Sequence, residues 1–219
     1  MVDFSISSKL KKAAPNLVLG VVTASVEVTK HDNTLWSEIN GVIKKLKDSI
    51  SIEQSLHLPP VEALRSAYKA LGKDPSRYRS SAEALLRRII QGKGLYQINT
   101  IVDINNLVSL ETMHSVGSYS LDKLNSPIEF GVGNSDEQYK GIGKEMINIT
   151  ELPVFRDQVG PFGSPTSDSE RAMISLDATS IMMVIISFSG QKGLNDSIQR
   201  LVGLLQVYSK ATNIETVIV

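Results

Sequence analysis

The chain contains no cysteine. That excludes disulfides, cysteine-ligated zinc and a thiol nucleophile. It has no net charge: 23 Lys and Arg balance 23 Asp and Glu. A neutral total argues against tight, sequence-blind binding of duplex nucleic acid. It also lacks a long apolar run. The longest, Ile181 to Phe188 with Ser187 inside it, has strand length. The earlier apolar stretch from Leu17 is interrupted by Thr23, Ser25 and Glu27, too soon for a signal-peptide core or a membrane span. There is no P-loop, no GxGxxG, no metal-ligand spacing and no legible Ser-His-Asp arrangement. The expectation is a soluble, cytoplasmic protein with no membrane partner, no cofactor and no metal.

What is present is ordinary globular material. Hydrophobic residues make up 42% and charged residues 21% of 219, enough for a real core in a single domain spanning 1–219. The charge is unevenly spread. Residues 1–100 carry 15 Lys and Arg against 9 Asp and Glu, and residues 101–219 carry 8 against 14. The first half can therefore supply a basic patch, which is what a nucleic-acid partner needs. A chance dipole on a solvated surface is the plain alternative.

Local patterning gives helices first and strands later. Val-rich residues 17–28 read as a strand. Asn33 suits the cap of a helix that buries Trp36, Ile39, Ile43 and Leu46. Pro60 suits the first turn of a helix burying Val61, Leu64, Tyr68 and Leu71, with Gly72 at its end. Ser80 and Glu83 fit a capping box ahead of the stripe Leu85, Leu86, Ile89 and Ile90. Ile101, Ile104, Leu107 and Val108 repeat at helical spacing. From Pro127 onward, strands are expected at 128–132, 146–149, 154–156, 173–176 and 181–188, with a final strand at 216–219. Asn195 or Asp196 suits the cap of a last helix containing Ile198, Leu201, Leu205 and Tyr208. The whole reads as α/β or α+β layers.

The run from Gly72 to Arg88 (GKDPSRYRSSAEALLRR) carries a family resemblance. So do Gly92-Lys93-Gly94, residues 98–112 (INTIVDINNLVSLET), Gly117 to Asp122, and Asp168 to Arg171. Together they resemble free-standing relatives of the B3/B4 domain of the phenylalanyl-tRNA synthetase beta subunit, over about residues 15–210. The resemblance implies a B3/B4-type domain with mixed sheets and packed helices. It implies tRNA or aminoacyl-tRNA as partner, and recognition or hydrolytic editing of misacylated tRNA in trans. The alternative is a non-catalytic module for an amino-acid-like small ligand without RNA. No class II catalytic core is legible, so no ligase activity is expected. Two departures stand out. Gly117 occupies the position implied for the editing histidine, and Val184 that of the editing glutamate. Gly160-Pro161-Phe162-Gly163 corresponds to the pocket's double glycine. The oligomeric state is left open.

Candidate site residues follow from chemistry and spacing. Arg77, Arg79, Arg87, Arg88 and Lys93 can contact phosphate, arginine through its planar fork. Salt bridges to Glu83 and Glu62 are the structural alternative, and Arg87 and Arg88, on neighbouring helical directions, are not expected both to face the same partner. Tyr78 and Tyr96 can stack on a base or pack in the core. Asn99, Asp103 and Asn106 form a polar cluster able to bind an amino-acid ammonium or a ribose, or to cap and brace the scaffold. His114 can act as a catalytic base or orient water, or carry no role. Asp168 and Glu170 follow a Gly/Pro loop and can receive a cationic amino group, or simply form a turn.

Overall fold

The computed structural model describes residues 3–219. The chain opens with β1 (Phe4–Ile6), α1 (Ser8–Ala13) and β2 (Val18–Ser25). Five helices follow: α2 (Asn33–Ser49), α3 (Ile52–Ser55), α4 (Pro59–Ala70), α5 (Ser81–Ile90) and α6 (Thr100–Thr112). Next come β3 (Ser115–Ser120), β4 (Ile128–Val132), β5 (Gln138–Lys140), β6 (Met146–Asn148), β7 (Pro153–Arg156), β8 (Pro161–Gly163) and β9 (Ser180–Ser187). The described chain finishes with α7 (Leu194–Ser209) and β10 (Thr212–Ile218). This is the mixed α/β architecture expected.

The strands form two four-stranded sheets, ordered β1-β4-β7-β8 and β10-β2-β9-β3, plus the small β5-β6 pair. The second sheet is antiparallel throughout. In the first, only the β1-β4 pairing is parallel. β9 lies inside its sheet and is covered on both faces. Met182, Val184 and Ile186 meet Phe130, Phe155 and Phe162 from the first sheet. Ile181, Met183 and Ile185 meet Trp36 of α2, Ile104 and Leu107 of α6 and Leu201 of α7. Burial on both faces explains why β9 reads as a continuous apolar run rather than an alternating one. The aromatic layer is tightly interleaved: Phe130 stacks on Phe155 at 4.1 Å between centroids, and Tyr119 meets Phe162 edge-on at 4.9 Å.

A third apolar cluster joins Val61 of α4, Leu86 and Ile89 of α5, and Leu110 of α6. It fastens the α5 stripe to the body of the protein and turns the opposite face outward.

Several local expectations need correction. Residues 173–176 form no strand. Ser169 Oγ accepts from the Arg171 amide, starting a 3₁₀ turn at Glu170–Ala172, and Met173 and Leu176 remain exposed. Asp32, not Asn33, caps α2, accepting from the Leu35 amide at 2.8 Å. Gly193, with φ of 75°, precedes α7 in place of Asn195 or Asp196. The last strand begins at Thr212, four residues before the expected Thr216. β3 carries the sequence Ser-Val-Gly-Ser-Tyr-Ser. Its small residues conceal a strand whose register is set by pairing with β9.

Candidate functional site

The outward face of α5 borders an open groove of about 670 Å³. α5 begins at Ser80, whose Oγ accepts from the Glu83 amide at 3.0 Å. The expected capping box closes on that side only, because the Glu83 carboxylate turns elsewhere. It is 1% exposed and accepts from Arg65 Nη1 of α4 at 3.1 Å and from Arg87 Nε at 3.0 Å. Arg79 approaches it at 3.8 Å. A lone buried carboxylate is costly, and three guanidinium groups compensate it. The cluster keeps a surplus of positive charge, and Arg79 and Arg87 also line the groove. Ion pairing and a groove-facing position therefore coexist at these two residues.

At the other end of α5, the chain folds back through Gly92 (φ 76°) and Gly94 (φ 63°). These left-handed conformations suit glycine. The return places the Gly94 carbonyl where Arg88 Nε donates to it at 2.7 Å. The Arg88 guanidinium lies 4.0 Å from the centre of the Tyr96 ring. Lys93 and Tyr96 join the groove wall, with Asn106 from α6. Arg87 and Arg88 leave α5 in neighbouring directions, and both line the groove.

The far wall comes from distant sequence. Thr166 and Lys144 complete it. Lys144 Nζ donates to Ser167 Oγ at 2.9 Å, and Thr166 shares a 2.7 Å hydrogen bond with the Tyr68 hydroxyl. Nothing near Lys144 in sequence marks it for this position; only the tertiary contact brings it in. The groove thus gathers five cations, and among the described residues no Asp or Glu lines it. Arg77 lies outside the lining, 83% exposed and 3.9 Å from Asp74.

The polar candidates do not converge on one cleft. Asn99 caps α6, accepting from the Val102 amide at 3.0 Å. Asp103 accepts from Trp36 Nε1 at 2.6 Å and from the Ile98 amide at 3.2 Å, and burial pushes its carboxyl above the usual range. Glu170 pairs with Lys140 at 3.1 Å. His114 lines a separate cavity of about 370 Å³ with Glu111 and Lys192. Burial holds its imidazole down to about 4, so it is neutral near pH 7. Asp168 braces the 164–169 segment: its Oδ1 accepts from the Tyr119 hydroxyl at 2.9 Å and the Ser164 amide at 3.1 Å. Burial pushes this carboxyl up to about 7.

Gly117 and Val184 are direct cross-strand partners. A Cβ on Gly117 would stand 2.3 Å from the Tyr119 hydroxyl, and so would one on Gly163. The Tyr119 ring therefore fills the space over both glycines. Val184 opposite is fully buried. No side chain reaches out from either position.

The fold and groove together define a mixed α/β domain with a basic, solvent-open cleft beside its α5 helix. The family model for the B3/4 domain matches residues 63–201, and the chain belongs to that family. Its fold is also similar to the crystal structure of an N-terminal fragment of the phenylalanyl-tRNA synthetase beta subunit from Pyrococcus horikoshii. The TM-score is 0.50 at 13% identity, covering 99% of this chain and 54% of that one. The chain thus spans about half the length of that fragment. No curated protein matches the sequence. Among the described residues, no helix is long and apolar enough to cross a membrane.

Proposed function

We propose that this B3/4 domain protein binds RNA, with tRNA or aminoacyl-tRNA as the partner, by holding phosphates in the α5 groove. The observation that carries the reading is the convergence of Arg79, Arg87, Arg88, Lys93 and Lys144 on one cleft with no carboxylate in its lining. Arginine forks match phosphate oxygens in pairs, and lysine adds point charge. A net charge of zero is compatible with this, since the local field governs contact. The fold similarity to a phenylalanyl-tRNA synthetase fragment supports tRNA as the class of RNA.

The same reading favours recognition over hydrolysis of misacylated tRNA. Tyr119 fills the space over Gly117 and Gly163, and His114 stands in a different cavity. A protein acting in trans would then hold its RNA without cleaving the ester. The amino-acid-binding alternative draws less support, because Asn99 and Asp103 are engaged by the scaffold.

Filter binding of tRNA over a salt series tests the first part. Affinity is expected to fall linearly on logarithmic axes as salt rises, with a slope near −0.7 to −0.9 per phosphate held. No binding at low salt would overturn it. Incubation with mischarged phenylalanine tRNA tests the second, and an ester half-life shortened by the protein would refute the non-hydrolytic reading.

A further inference from the structure

We infer that the α5 groove takes an unpaired RNA strand and that Tyr96 is the platform on which one of its bases stacks. This rests on the groove being the RNA site.

Tyr96 is 67% exposed, the most exposed of the large aromatic side chains. It lies in the groove wall, among the cations. Its placement is built rather than incidental. The Arg88 guanidinium covers one face at 4.0 Å. Arg88 is itself held by the Gly94 carbonyl at 2.7 Å, with a longer contact from Nη2 to the Lys93 carbonyl at 3.5 Å. The left-handed turn at Gly94 sets both contacts. One ring face is therefore taken by a planar cation, and the ring still leaves most of its surface to solvent. A base laid on the open face would complete a cation–ring–base stack.

This geometry discriminates between forms of nucleic acid. In a duplex the faces of interior bases are covered by their neighbours, and only edges and phosphates are offered. A flat aromatic face beside phosphate-binding cations suits a strand whose bases are free to splay outward. Arg79, Arg87 and Lys144 would then follow the backbone while Tyr96 takes a base.

Three fluorescein-labelled RNAs of about ten nucleotides, within the usual range of single-strand sites, separate the possibilities by anisotropy at low salt. One is a mixed-sequence single strand, one an abasic strand with the same phosphates, and one the matching duplex. The base-bearing strand is expected to bind about ten-fold more tightly than the abasic strand. Tyr96→Leu is expected to erase that difference without weakening the abasic strand, and Tyr96→Phe to preserve it. Equal binding of the base-bearing and abasic strands, with no effect of Tyr96→Leu, would leave the groove reading standing and overturn the stacking platform. A duplex that binds as well as the single strand would do the same. Failure of all three RNAs to bind would overturn the groove reading itself.

Discussion

Replacing Asp168 by asparagine is expected to make the protein more stable near neutral pH and to flatten its stability between acid and neutral pH. The Asp168 carboxyl moves from an ordinary 3.8 to about 7 on folding, chiefly because burial penalises its charge. Between those values the unfolded chain has released this proton while the folded chain retains it. The unfolded state binds fewer protons there, so stability falls as pH rises through that window. The full effect is about 4 kcal/mol at 1.36 kcal/mol per pH decade. Asp168 keeps partial solvent contact, and screening reduces the expectation to about 2 kcal/mol. Asparagine is a close replacement, because both donors, the Tyr119 hydroxyl and the Ser164 amide, address the same oxygen. An Asn Oδ1 can accept both. Urea denaturation of the two proteins at about pH 5 and about pH 8 measures the difference. Between those two pH values, which span only the upper part of the window, the advantage of Asp168→Asn is expected to grow by about 1 kcal/mol. An advantage that is constant with pH, or that shrinks, would refute the placement of an uncharged carboxyl in this network.

Glu83→Gln is expected to cost about 3 kcal/mol, seen as a lower thermal midpoint, because Arg65, Arg79 and Arg87 lose their shared counter-charge. Gly117→Ala is expected to lower the urea midpoint by an amount equivalent to about 1–3 kcal/mol. The new methyl meets a ring that Asp168 and Phe162 hold in place. Combining Arg87→Ala with Lys93→Ala is expected to weaken RNA binding and to reduce the magnitude of the salt slope by about 1 to 2. Arg77→Ala, outside the groove lining, is expected to leave RNA affinity unchanged in the same filter-binding assay.

The parts of the fold that follow from local pattern were legible in the sequence. The α5 stripe and its Ser80 cap are local, and β9 declares itself by composition. β3 did not, since Gly and Ser carry little strand propensity and only pairing with β9 gives the segment its conformation. The basic side of the groove was legible as a charge run from Arg79 to Lys93. Lys144 was not, because its position depends on the approach of the 164–169 segment. At Asn99 and Asp103 the hydrogen bonds follow the capping and bracing alternative, for a physical reason. Short polar side chains at a helix start satisfy backbone amides, so dense Asx residues there first answer a structural need. The contact between Arg65 and Glu83 joins two helices, and no spacing rule within either one reveals it.

The Glu83 cluster has a consequence for the kinetics of ligand capture. Long cationic side chains ordinarily lose rotational freedom when a ligand arrives, at about 0.5–1.5 kcal/mol each. Arg79 and Arg87 are already tethered to Glu83, and Arg88 to the Gly94 carbonyl, before any ligand is present. Their ordering belongs to folding rather than to binding. An incoming anion meets a preorganised array, so weakening that tether would show first as slower productive encounter and a larger entropic penalty.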